Sequence, residues 1–322
     1  MKHPIITSIG LAVLASVSLV TPASASLSID TFGTGGNAFM MNFVDIGNSG
    51  NANDTSPAGY GGVANAFRMS SYEVSVDMVS KANTAGSLGI TYTSRTADMP
   101  ATSVSWNEAA RFVNWLNVSS GSVAAYNFTT NGVNDNIVLW DATSAGSGYN
   151  DKNPFRNSNA KYFLPSENEW YKAAYYSGTG STYYDYATGD SVPTAVASGT
   201  SGAVYNGQSG PADITSAGGL SPYGTMGQGG NVWEWMETNY SGTNDSSGSL
   251  RGLRGGSWAS FGGGLASSSR ISAVPSVEKY LDFGFRVASS ELAAIPEPTT
   301  LLSTLALVSS GLLLRRRGKV SL

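Results

Sequence analysis

The sequence predicts an α+β fold, and three observations predict it. Two helices carry complete start signals, in "SWNEAARFVNWLN" and "SENEWYKAAYYSG"; short extended pieces gather late in the chain, at 253–258 and 283–287. Helices and strands do not alternate as the βαβ units of a doubly wound sheet require. No fixed-period internal repeat is present.

The first segment, "MKHPIITSIGLAVLASVSLVTPASAS", has a basic Lys2, an apolar stretch over 5–20 and the small-x-small triplet Ala23-Ser24-Ala25. That order predicts a secretory signal over 1–25, cut after Ala25. A first helix is expected after Ser75, in "SVDMVSKAN". In the second, Ser105 and Glu108 form a capping box ahead of Ala109, Phe112, Val113 and Leu116 at helical spacing. In the third, Ser166 and Glu169 repeat the box, Trp170, Ala173 and Ala174 share a face, and Gly178 is the expected stop. The box positions account locally for Glu108 and Glu169, which otherwise resemble a catalytic carboxylate pair. Trp106, Trp115 and Trp170 on these helices are expected in the core. The late pieces read as strands, 283–287 by its alternation.

The far end reads "IPEPTTLLSTLALVSSGLLLRRRGKVSL", with Pro296, Glu297 and Pro298, an apolar transmembrane run over 301–314, then Arg315, Arg316, Arg317 and Lys319. A basic cluster after an apolar run marks a cytoplasmic flank, leaving the body of the chain on the far side of the membrane. Residues 295–319 resemble the PEP-CTERM sorting signal of Gram-negative exopolysaccharide producers. The resemblance implies an exosortase-type protease as partner, transient anchoring in the inner membrane, and a destination in the cell envelope or extracellular matrix.

Without the two terminal signals, 13 basic residues face 21 acidic ones, which argues against nucleic acid as a partner. The chain has no cysteine, so an exported protein must rely on burial rather than disulfides. Charged residues are only 12%, but seven Trp, 16 Tyr and 11 Phe are too many for a disordered segment. The body, 26–294, is therefore expected to fold with long polar loops.

The segments "YEVSVDMVSKAN", "PATSVSWNEAARFVNWLN", "KYFLPSENEWYKAAYY", "GGNVWEW", "LRGGSW" and "FGFRVA" resemble, in type and order, those of the formylglycine-generating enzyme family, the sulfatase-modifying-factor domain. The resemblance implies a single compact domain related in shape to C-type lectins and low in regular secondary structure. Copper-dependent members hold their metal through two cysteines, whose places fall near Ser260 and Leu265. Soft Cu(I) selects thiolates, and neither residue supplies one. Iron-dependent members need histidines, and the sole histidine is His3, in the leader. No catalytic residue is therefore assigned, and no redox cofactor is expected.

For Glu234 the residues admit two roles. The resemblance implies a calcium site, with Glu234 as carboxylate and Gly230 and Val232 as carbonyl donors. Gly227 stands at the site's acidic position, and Gln228 or Glu237 is the replacement ligand. The other role is a buried anion paired with Arg254, Arg270 or Arg286, since a desolvated carboxylate needs a partner. The tyrosine-rich loop over 175–190, with Tyr183, Tyr184 and Tyr186, is a candidate ligand surface because aromatic faces stack on sugar rings.

Three functions follow as expectations: a non-catalytic exported module binding polysaccharide or an envelope protein; an oxidoreductase of the formylglycine or sulfoxide-synthase type with another ligand set; and an extracellular matrix structural protein.

Overall fold

The computed structural model describes residues 26–56, 59–129, 137–144, 146–241 and 246–290. The predicted leader, 1–25, and the sorting tail with Pro296, Glu297, Pro298, the 301–314 run and Arg315 to Arg317 lie outside the described residues. Among the described residues no helix is long and apolar enough to cross a membrane.

Strands β1 (Leu27–Phe32), β2 (Phe39–Ile46) and β3 (Phe67–Ser70) precede every α-helix, which corrects the expectation of helices early and strands late. The reason lies in β1, whose apolar Leu27 and Ile29 face solvent while Ser28 and Asp30 are half-buried. That inverts the alternation by which a half-buried strand is recognised. Asp30 faces inward because Arg68 and Tyr162 meet it there, each at 2.7 Å. In β2 the pattern is ordinary: Phe39, Met41 and Phe43 are buried and Met40 is exposed.

All three predicted helices form. Helix α1 (Val76–Gly86) starts where the Ser75 hydroxyl accepts from the Met78 N–H. Helix α2 (Trp106–Ser119) has both arms of its capping box. Helix α3 (Glu167–Tyr175) does as well. It stops before Gly178, because Tyr176 turns extended and pairs with Tyr183. Gly178, at φ +84°, serves the turn between them.

Short strands β4 (Asn127–Phe128) and β5 (Ile137–Val138) pair with each other; β6 (Tyr162–Phe163) leads into α3. Beyond the helices lie β7 (Trp233–Asn239), β8 (Arg251–Arg254), β9 (Ile271–Ala273), β10 (Phe283–Gly284) and β11 (Ala288–Ser289). One sheet runs β1-β2-β3-β11-β6 and is antiparallel throughout. The second runs β10-β7-β8-β9, with β10 parallel to β7.

Both late strands differ from expectation. The strand expected at 253–258 ends at Arg254, because Gly255 and Gly256 are left-handed, at φ +98° and +75°. The strand expected at 283–287 is cut short: Phe283–Gly284 belongs to one sheet, and the next strand, Ala288–Ser289, belongs to the other. Residues 285–287 thus carry the chain between the sheets. The core fills around this crossover, where Phe285 meets Phe112 of α2 edge to face at 5.5 Å. Trp106, Trp170 and Trp235 are fully buried, and Trp115 packs against the core's margin. Each buried indole N–H finds an acceptor, Trp106 at the Met236 carbonyl and Trp235 at that of Val104.

Candidate functional site

The "GGNVWEW" stretch begins with a tight turn. Gly230 is at φ +101°, and a Cβ there would lie 2.5 Å from the Val204 carbonyl oxygen. Asn231 follows, also left-handed at φ +61°, with its carboxamide accepting from Ala212 N–H and donating to Glu73. This turn launches β7 and puts Glu234 in the interior. Arg286, from the crossover, donates Nε to Glu234 Oε2 at 2.6 Å and Nη2 to Oε1 at 2.7 Å. Trp170 donates its indole N–H to Oε2 at 2.6 Å. Of the three candidate arginines, Arg286 is therefore the partner. Arg254 lies opposite Glu234 in the β7–β8 ladder, but its side chain reaches Glu167, as does that of Arg270.

The second carboxylate here belongs to Glu73, whose oxygen would lie 2.6 Å from a Cβ on Gly227. Gly227, at φ +81°, leaves room for an acid supplied by a distant segment. Burial, with Glu234 nearby, pushes Glu73 up to about 8 against the pull of Arg286. The residues present do not fit a calcium ion. Calcium takes ~6–8 oxygens, whereas both oxygens of Glu234 are already engaged by N–H donors, and Arg286 supplies the positive charge. Gln228 bonds Thr225 and the Trp170 carbonyl, and Glu237 bonds Tyr126, so neither replacement ligand turns toward Glu234. Val232 is buried in an apolar cluster with Val204, Ala212 and Trp258.

The family's two metal positions are equally unsuited to a soft ion. Leu265 is fully buried against Ala203 and Tyr205. Ser260 accepts the Ser257 N–H at 3.0 Å, and the Ser257 hydroxyl donates to Asp282 at 2.7 Å. These are hard oxygen donors, occupied in closing the loop after Gly256.

In the tyrosine-rich loop, Tyr183 packs on Tyr171 and Tyr176 at ring separations of 5.6 and 5.0 Å. Its hydroxyl donates to the Ala52 carbonyl and accepts from Asn51. Tyr184 and Tyr186 are half-buried, and Tyr186 leans on the cluster around Leu265. The loop's aromatic faces are thus largely engaged within the protein.

A feature the sequence reading missed lies on another face, at the start of α3. Arg156 bridges two carboxylates, Glu169 at 3.1 Å and Glu237 at 3.3 Å, and its guanidinium sits 4.1 Å over the Phe163 ring. Tyr126 and Asn153 donate to the two oxygens of Glu237. Burial raises the Glu237 carboxyl, and Arg156 opposes the shift. Glu169 therefore does more than cap: it holds Arg156 at the wall of two adjoining cavities of about 710 and 410 Å³. Sequence offered little signal for it, since its members come from positions 62 to 290 and the motif that holds Ser166 and Glu169 reads locally as a helix cap.

Two main sheets with long loops, three α-helices and a buried Glu–Arg pair joining the sheets define a single-domain scaffold of the C-type-lectin-like class. Within that class, residues 34–291 match the sulfatase-modifying factor enzyme 1-like domain, and the chain belongs to that family. Among solved structures it is similar to Treponema denticola variable protein 1, at 23% identity and TM-score 0.55, covering 82% of this chain and 99% of that one. It is also similar to CarF (19%, TM-score 0.53, 83% and 99%) and to PvdO from Pseudomonas aeruginosa (16%, TM-score 0.52, 81% and 98%). At these identities the likeness is one of fold. No curated protein matches the chain.

Proposed function

We propose that this chain is an exported, non-catalytic member of the family that binds polysaccharide or another envelope component. The observation that carries this reading is the donor set at the two metal positions, a loop-closing Ser260 and a buried Leu265, in a chain without cysteine and with its only histidine at His3. A nucleophile or redox metal needs a positioned partner, and the described residues here offer instead a Ser257 hydroxyl held by Asp282 and a Ser260 hydroxyl held by Ser257. The leader over 1–25 supports export, and the Pro296-Glu297-Pro298 triplet with its basic flank supports exosortase handling and an envelope destination. No calcium is required, because Arg286 neutralises Glu234.

The test is turnover. The purified chain is incubated with Cu(I) or Fe(II), oxygen and a cysteine-containing peptide, and peptide mass and retained metal are measured. Unchanged peptide and no tightly retained redox metal are expected. An aldehyde product, or a stoichiometric bound metal, overturns the non-catalytic reading.

A further inference from the structure

We propose that the groove walled by Arg156 and Glu169 binds a neutral, polyhydroxylated chain, an oligosaccharide without charged substituents. This rests on the binding reading above and gives it a place and a ligand class.

The groove has the size and shape for such a ligand. Its two cavities share Val63, Ala64, Asn150, Arg156 and Glu169 in their walls, so they form one extended depression. Each falls within or near the ~300–1,000 Å³ typical of small-molecule sites. Two joined hollows suit a chain of rings better than one ring.

Charge selects against ionic ligands. Arg156 is neutralised by Glu169 and Glu237, and Lys152 pairs with Asp151 at 3.2 Å. The wall thus holds no unmatched cation to attract a phosphate, sulfate or uronate. The polar groups left over include three amides. Asn168 accepts the Gly61 N–H with its oxygen, and Asn150 accepts the Lys152 N–H with its own. Among the described residues neither amide nitrogen has a partner, and the exposed Asn65 has none for either end of its amide. Each of these three lining residues has an amide with two hydrogens to donate, and Asn65 can also accept. Hydroxyl groups, which donate and accept, are their natural complement.

A sugar also presents C–H faces, and the groove offers flat and small surfaces to them. The Arg156 guanidinium is held planar against Phe163 by its two carboxylates, and Val63, Ala64 and Pro154 line the walls beside it. Because the ionic network is already made before any ligand arrives, its groups lose little further freedom on binding.

The experiment is a calorimetric titration of the purified chain with neutral gluco- and manno-oligosaccharides and, separately, with alginate oligosaccharides. The same titrations are run on Ala64→Trp, which places an indole in both cavities from an exposed position, and on Asn65→Ala, which removes an amide with no internal partner. Saturable binding of a neutral oligosaccharide is expected, little changed by salt, weakened ~tenfold or more by Ala64→Trp and a few-fold by Asn65→Ala, consistent with the loss of one or more hydrogen bonds. Melting temperatures check that both variants fold. Binding that survives in both folded variants overturns the groove assignment and leaves the broader binding reading in place. Tighter, salt-sensitive binding of alginate, or no binding of any neutral oligosaccharide, overturns the ligand class. Failure of the broader reading is read separately: turnover of the cysteine peptide removes its non-catalytic part, and no saturable binding to the producing cell's own polysaccharide or envelope proteins removes its binding part.

Discussion

Arg286 grips Glu234 through two nitrogens, at 2.6 and 2.7 Å, with both side chains wholly withdrawn from solvent. Glu234 stands in β7 of the four-stranded sheet, and Arg286 stands in the crossover that leads to β11 of the other. Arg286 also donates to the carbonyls of Ser70 and Met226, so one side chain ties β3, β7 and the glycine-rich loop together. Removing one partner strands a buried charge. Arg286→Met is expected to destabilise the fold by about 3–5 kcal/mol in urea denaturation. Glu234→Leu combined with Arg286→Met should recover part of that loss.

Glu73 predicts a pH dependence. Its folded pKa, about 8, lies above the ordinary 4.5, so the folded state holds the proton more tightly than the unfolded chain does. The stability this contributes is complete below 4.5 and is lost as pH rises toward about 8. Glu73→Gln keeps an acceptor for Asn231 and removes the titration. Its melting temperature should match the parent near pH 4 and exceed it at pH 9.

Gly227→Asp would fill the acidic position of the family's calcium site. Here it should fail, because the new Cβ would lie 2.6 Å from Glu73 at φ +81°. The expected result is a lower melting temperature that added calcium does not restore. The parent chain should melt at the same temperature in calcium and in chelator.

The capping boxes separate local from long-range roles. Ser105→Ala and Ser166→Ala should each cost ~1 kcal/mol. Glu169→Ala should cost more than Ser166→Ala, because it also leaves Arg156 beside Glu237 with half of its anionic partnership gone. Denaturant midpoints of the three variants, compared at constant slope, check this.

The parts legible in the sequence were those with local signals. The capping boxes announced α2 and α3, and the isolated Glu between two tryptophans implied a buried anion with either calcium or an arginine as its counter-charge. What escaped reading was set by distant contacts. Strand β1 wears its apolar residues outward because Asp30 is drawn in by Arg68 and Tyr162, so its pattern is misleading. The 283–287 run was legible as extended chain, but its early end and the passage to the other sheet depend on β7 and β3. The Arg156 groove joins the capping-box residues Ser166 and Glu169 to distant ones of no special local pattern, and Gly227 makes sense only once Glu73 is seen beside it.

The most direct measurement of the central claim is a binding titration of the purified chain against the producing cell's own polysaccharide and envelope proteins, in calcium and in chelator. Saturable binding, equal in both conditions and without chemical change to the ligand, is the predicted result. An absence of saturable binding to either class, or binding accompanied by oxidation of the partner, would contradict it.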